Sequence, residues 1–414
     1  MTGALDQLIH TTRTCAGQSG KGAAVHTPGE IRGQAALWPG TARLMSRNLS
    51  AVVHSMHYEA PPSGRMAARG IVLSGAGSSH HVGMSLEPFL RKRLQVEARA
   101  VASTDIVLDP SVTCLRDHPY LVVLFARSGD SPESLGTIDS VRAVCPDARF
   151  LAITCNEHGG LATAARDGEF DGTVSAVVLD ERTNDKGLAM TSSFTNMVVA
   201  GQALGFAEDI HAYLSNIDLL AAAGERAVTE LAGSVKDIAD RPFERALFLG
   251  SGALYGVARE SALKLQEMTD GVVVTQSETF LGVRHGPEAV VNEETLVVCF
   301  VSGDEHRRRY ELDLMNEVHA KQPQALKLAV APKAPRDLAD VVDVCIELAP
   351  TGPFVHDDLR PPVDAVIGQL IALFKSVNLG MEPDNPSKRG MISRVVEGVT
   401  YYPPAGRNSR YACT

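Results

Sequence analysis

Two tandem copies of a doubly wound α/β domain are predicted for this 414-residue chain, and three observations predict them. Continuous Val/Leu/Ile runs alternate with helical stretches, the pattern of parallel strands covered on both faces. Glycine-containing corners follow several of those runs, where a parallel sheet hands over to a helix. The landmarks also recur at nearly one spacing. Gly75-Ala76-Gly77 matches Gly250-Ser251-Gly252 (250 − 75 = 175), Ser128-Gly129-Asp130 matches Ser302-Gly303-Asp304 (302 − 128 = 174), and Leu151 matches Lys327 (327 − 151 = 176). Three landmarks at nearly one offset mark an internal repeat.

Taken in order, residues 1–63 read as a helical segment with no apolar run after a basic start, so no secretory signal is expected. The stretch opened by Pro28 is expected to pack against the first domain, with the lone Trp38 as core or domain-packing surface. The first domain spans 64–215, with strand runs at 70–77, 120–129 and 149–156. The second spans 222–385, with runs at 245–252, 294–303 and 325–331. From 386 to 414, Pro, Asn and Gly punctuate the chain and helical period is weak. This tail is expected to wrap the surface or reach into a cleft.

Composition narrows the function classes. Hydrophobic residues at 44% and charged residues at 21% describe a globular chain, long enough for two or three full cores. A net charge of -10 argues against a nucleic-acid partner, which needs a basic face, but allows a small anion in a local pocket. No apolar run is long enough to span a membrane. The seven cysteines are scattered with no C-x-x-C pair, which is neither a disulfide framework nor a zinc ribbon. His54 and His57, with His80-His81, lack carboxylates or cysteines at matching short spacing, so no metal site is expected. The cytoplasm is the expected compartment.

In open parallel sheets, ligands sit beyond the carboxyl ends of the strands, where helix N-termini turn their amides outward. GAGSSHHVG (75–83) and ARSGDSPES (126–134) both fall at such ends in the first copy. Ser78, Ser79, Ser128 and Ser131 bring hydroxyls, Gly129 permits a tight corner, and Arg127 brings a fixed charge. Either stretch alone reads as an ordinary turn with capping serines. At corresponding ends of one sheet they read together as a phosphate cradle. A dinucleotide fingerprint fits poorly, because GAGSSH lacks its third glycine.

The second copy carries GSGALYG and VSGDEHRRR instead, without the hydroxyl cluster. Between them runs ARESALKLQEMTDGVVVTQSETFLGVRHGPEAVV (258–291), in which Glu260, Lys264 and Glu267 fall at i, i+4 and i+7 on one helix face. Such a row is ordinarily a solvated ion-pair ladder. Here Leu263, Leu265 and Met268 make much of the rest of the helix apolar, and His285 follows in a Gly/Pro-bounded loop beside Arg284. A carboxylate and a loop histidine suit proton transfer on a sugar.

The doubled domain, GAGSS, FARSGDSPES and ALKLQEMTDG…GVRHGPEAVV resemble the sugar isomerase (SIS) domain proteins. The resemblance is narrower to the branch of tagatose-6-phosphate ketose/aldose isomerases and galactosamine-6-phosphate deaminases, and runs through HTPGEIRGQAALW, TNDKGLAMTSSFTNM and DNPSKRGMISRVVEGVTYYP over nearly the whole chain. It implies two flavodoxin-like five-stranded parallel sheets and no cofactor. It places Ser79, Arg127, Ser128 and Ser131 on the sugar phosphate, with Thr191 and Ser192 near the same pocket. Glu267 takes the place of the base that moves a proton between C1 and C2. His285 takes that of the histidine aiding ring opening, supplied across the interface of a homodimer or higher homo-oligomer, and Lys264 and Glu260 are supporting positions.

Two departures from the branch bear on substrate choice. His80-His81 stand where it has small or apolar residues, and Lys388-Arg389 interrupt its Asn-Pro-Ser-Pro-Ser-Gly tail. The expected activity is isomerisation of a sugar phosphate, with deamination where C2 bears an amine. The alternatives are a non-catalytic sugar-phosphate sensor, which needs the serine loops but not Glu267 and His285, and an isomerase acting on an unusual sugar in a biosynthetic pathway.

Overall fold

A computed structural model describes residues 3–19, 26–56, 70–116, 118–334, 338–351, 354–396 and 398–403. One sheet is built from β1 (Gly70–Gly75), β2 (Glu97–Ala102), β3 (Tyr120–Ala126), β4 (Arg149–Thr154) and β5 (Val174–Val178), in the order β2-β1-β3-β4-β5. The other is built from β6 (Arg245–Leu249), β7 (Val274–Glu278), β8 (Thr295–Phe300), β9 (Leu326–Ala331) and β10 (Val344–Glu347), in the order β10-β9-β8-β6-β7. Read from its other edge, the second order is that of the first. Every pairing is parallel. The two doubly wound copies expected from the repeat are therefore present, each with the five parallel strands that the family resemblance implies.

The repeat extends to backbone detail. Gly77 (φ 55°, ψ −124°) and Gly252 (φ 59°, ψ −127°) open the helices Ser78–Leu94 and Ala253–Met268 in one conformation that side chains rarely adopt. Gly75 and Gly250 share a second constraint. A Cβ on Gly75 would lie 2.5 Å from that of Ser79, and one on Gly250 would lie 2.2 Å from the Leu254 carbonyl oxygen.

The chain divides into two compact units. The first holds β1–β5 and comprises Leu37–Asn184, Asn196–Ser215 and Ser393–Thr414. Its core gathers Val122, Leu124, Ile138, Val141 and Phe150, and helix Trp38–Met56 packs on β4 and β5 with Trp38 fully buried.

The second unit holds β6–β10 and comprises Met1–Ala36, Asp185–Thr195 and Asn216–Ile392. Helix Thr27–Gly33 belongs here and packs on helix Pro361–Asn378. The next residue, Gln34, is buried, donates to Gln369 Oε1 (2.7 Å) and accepts from Thr195 Oγ1 (2.8 Å). The stretch opened by Pro28 thus divides, its first turns packing in the second unit and its later helix in the first.

Helix Pro361–Asn378 is buried from Pro361 to Ser376, as expected of a helix apolar nearly all round. Helix Ala253–Met268 lies along it at close range. A Cβ on Gly368 would stand 2.0 Å from Ser261 Oγ. Near its start, this unit also half-buries an acidic group. Glu30 accepts from the Lys186 and Gly187 amides, while burial and the charges of Asp185 and Asp384 push its carboxyl up to about 7. No helix among the described residues is long and apolar enough to cross a membrane.

Candidate functional site

In the first sheet the strand order reverses between β1 and β3, so the corners after these two strands flank the switch-point crevice. Ser78 and Ser79 are the buried opening residues of helix Ser78–Leu94, after Gly77. His81 is also buried, His80 is half-buried, and their rings lie 6.1 Å apart in the first turn.

The corner after β3 is held from behind. Asn156 Nδ2 donates to the Ser128 carbonyl (3.0 Å), Asp130 accepts from the Gly160 amide (2.9 Å), and Ser128 Oγ accepts from the Asp130 amide (3.3 Å). Gly129 turns at φ 73°. Ser131 caps helix Pro132–Val144 by accepting from the Ser134 amide (3.2 Å) and pairing with the Ser134 hydroxyl (2.7 Å). Arg127 is buried to 8% exposure at the end of β3, and its guanidinium donates to the Arg394 carbonyl of the tail. Two helix N-termini and a buried guanidinium thus lie at one switch point, an arrangement whose partial and full positive charges favour an anion.

The second unit carries the row expected on helix Ala253–Met268. Lys264 is fully buried, with its ammonium 3.4 Å from Glu260 and 2.5 Å from Glu267. Glu260 is equally buried, whereas the Glu267 side chain keeps 22% exposure. A carboxylate one residue from a helix C-terminus opposes the helix dipole, so Lys264 offsets what the backbone resists. The ammonium holds the Glu267 carboxyl from one side, and the side chain keeps a partly open face.

His285 ends the 3-10 turn Gly282–His285 and is exposed; Gly286 follows at φ 126°. Its neighbour Arg284 is tied to Glu317 at 2.6 Å. Lys388 and Arg389 are exposed, and Arg389 lies 3.8 Å from Asp270, two residues past the end of the Glu267 helix.

Thr191 and Ser192 stand in the second unit. Their amides, with that of Ser193, converge on the buried Asp185 carboxylate at 2.8, 3.0 and 2.9 Å. The anion at the start of helix Ser192–Leu204 is thus supplied by the chain itself. An acid six to eight residues before a Thr-Ser-Ser run was the available signal.

A second carboxylate that sequence reasoning passed over fills the corresponding place after β8. Asp357 accepts from Ser302 Oγ and from the Gly303 amide (2.9 Å), and the fully buried Arg360 binds both Asp357 (3.1 Å) and Asp364 (2.7 Å). Despite burial, the Arg360 guanidinium and these donors hold the Asp357 carboxyl below its ordinary range.

Among the described residues no cluster of three or more His, Cys, Asp or Glu is gathered for a metal ion. His57 and the side chain of His54 lie outside the described residues. Burial pushes the Cys114 thiol up to about 12 and that of Cys345 to about 11, which leaves both protonated and unreactive near neutral pH.

Residues 241–373 match the family model described as the SIS domain. A Streptomyces coelicolor chain whose name provisionally reads D-galactosamine-6-phosphate deaminase AgaS is 37% identical, over 92% of this chain and 96% of its own. The D-galactosamine-6-phosphate deaminase AgaS of Escherichia coli O157:H7 is 34% identical, over 91% and 95%. The crystal structure of tagatose-6-phosphate ketose/aldose isomerase from Escherichia coli superposes with a TM-score of 0.78 at 31% identity, covering 91% of this chain and 96% of that one. With two parallel copies in one strand order and relatives matched end to end, the chain belongs to the SIS family, in its branch of sugar-phosphate isomerases and amino-sugar-phosphate deaminases.

Proposed function

We propose that the chain converts a 2-amino-2-deoxyhexose 6-phosphate of the galactosamine type into the corresponding ketose 6-phosphate and ammonia. The observation that carries this reading is the Glu260–Lys264–Glu267 row, in which a buried ammonium presents a partly open carboxylate. A sensor that only binds sugar phosphates has no use for such a group. The named AgaS relatives supply the substrate class.

Ser78, Ser79, Arg127, Ser128 and Ser131 with the Gly129 corner take the phosphate. His285, exposed on its own protomer, assists ring opening in a neighbouring subunit of a homodimer or higher homo-oligomer. Glu267 removes the C2 proton from the open-chain aldehyde, giving an enolamine, and returns a proton to C1. The resulting C2 imine adds water and expels ammonia, so one water is consumed and no redox change occurs. An aldose phosphate with a C2 hydroxyl follows the same proton path to a ketose without nitrogen release. His80, His81, Lys388 and Arg389 are the candidates for choosing among sugars. The reaction belongs to the cytoplasm, where sugar phosphates are made and consumed.

Glu267→Gln should lower kcat by about 10²–10⁴-fold while leaving the inhibition constant of inorganic phosphate within about twofold. A variant that keeps most of its turnover would remove Glu267 from the role of base. Assaying ammonia and ketose separately, across hexosamine and aldose 6-phosphates, tests the substrate. Ketose formed from aldose phosphates, with no ammonia from any amino sugar, would leave isomerisation and overturn deamination.

A further inference from the structure

The tail of the first unit meets the corner that follows β3. Arg127 donates to the backbone carbonyl of Arg394, and the Arg394 guanidinium donates in turn to Asn184 Oδ1 at 2.8 Å. Farther along, Tyr401 is buried to 5% exposure on helix Pro132–Val144, the helix that Ser131 caps. Its phenol pairs with the buried Ser140 hydroxyl at 3.1 Å. Its ring lies over Gly136 so closely that a Cβ there would be 2.6 Å from two ring carbons. Burial pushes the Tyr401 hydroxyl pKa up, so the phenol stays neutral as a hydrogen-bonding group. The chain therefore spends a buried aromatic, a matching glycine and an amide on holding a tail whose inward contact is the guanidinium of Arg127.

A guanidinium recognises phosphate through a planar fork of N–H groups, so its usefulness depends on which way the plane faces. A carbonyl that takes one N–H sets that plane before substrate arrives. We propose that the tail is a strap that aims Arg127 at the substrate phosphate: the Arg394 carbonyl orients the guanidinium, and Asn184 with the Tyr401 seat on Gly136 holds the strap. Arg394 and Tyr401 are positioning residues in this scheme, acting through Arg127. The inference rests on the reading of Arg127 as a phosphate ligand.

The experiment is a double-mutant cycle on the full chain, read as the inhibition constant of inorganic phosphate and as KM and kcat for galactosamine 6-phosphate. Tyr401→Ala and, independently, Gly136→Ala and Asn184→Ala should raise the phosphate constant and KM about tenfold, with kcat within about twofold. Tyr401→Phe keeps the ring on Gly136 and should restore most of the affinity. In an Arg127→Ala background the strap variants should add nothing further. If Arg127→Ala itself leaves phosphate inhibition unchanged, the phosphate reading of Arg127 fails. If Arg127→Ala weakens phosphate and Tyr401→Ala weakens it by the same factor with or without Arg127, the strap acts elsewhere and the proposal is overturned. Wild-type constants in all three strap variants would also overturn it.

Discussion

Replacing Lys264 by Met tests whether the carboxylate row is a buried charge cluster or an ornament of the helix. The ammonium stands 3.4 Å from Glu260 and 2.5 Å from Glu267, and both Lys264 and Glu260 keep only 1% side-chain exposure. At an effective dielectric of about 20, the Glu260 pair alone is worth about 5 kcal/mol of gross attraction, most of it offset by desolvation. Methionine fills the volume of the stem but removes the ammonium that stands against the buried Glu260 carboxyl. Breaking a buried pair in this way costs about 3–5 kcal/mol. For a unit of this size that corresponds to a fall in Tm of roughly 6–20 °C.

The decisive arm is the double variant Lys264→Met/Glu260→Gln, which removes both members of the buried pair. Urea denaturation should show it regaining most of the lost stability, to within about 1–2 kcal/mol of the parent. Its turnover should stay as low as that of the single variant, because Glu267 has lost its clamp. A single variant as stable as the parent, or a double variant no more stable than the single, would refute the buried-pair reasoning.

Two further outcomes follow from packing and titration. Gly368→Ala places a methyl against Ser261 and should cost about 1–3 kcal/mol in urea denaturation, with kcat falling more than KM rises because the displaced helix carries Glu267. Glu30 has a carboxyl raised from 4.5 to about 7, so between these values the folded chain holds a proton that the unfolded chain has released. Stability should therefore fall as pH rises from about 4.5 to 7, by about 3 kcal/mol, and Glu30→Gln should flatten that slope in denaturation midpoints taken across the range.

The central strands were legible because burial on both faces writes them as unbroken apolar runs, as in Leu121-Val122-Val123-Leu124 and Thr295–Phe300. The four strands without such a run, Glu97–Ala102, Val174–Val178, Val274–Glu278 and Val344–Glu347, are the four sheet edges. An edge strand is half-covered, so polar residues such as Gln276 and Ser277 interrupt its apolar pattern. The Glu260–Lys264–Glu267 row was visible because helical period alone aligns it. The Asp357–Ser302 contact was not, since the two residues are 55 positions apart and only the folded sheet brings them together. Tyr401 on Gly136 escaped for the same reason, although Gly136 inside a helix was a usable hint.

The Asp357 carboxylate bears on how much ligand the molecule can hold. Duplication of a phosphate-binding domain would by itself give a protein with two equivalents of binding capacity. With Ser302 Oγ and the Gly303 amide already committed to an internal anion, and Arg360 neutralising it, an incoming phosphate at the second switch point would meet like charge. The chain should saturate at one sugar phosphate per protomer.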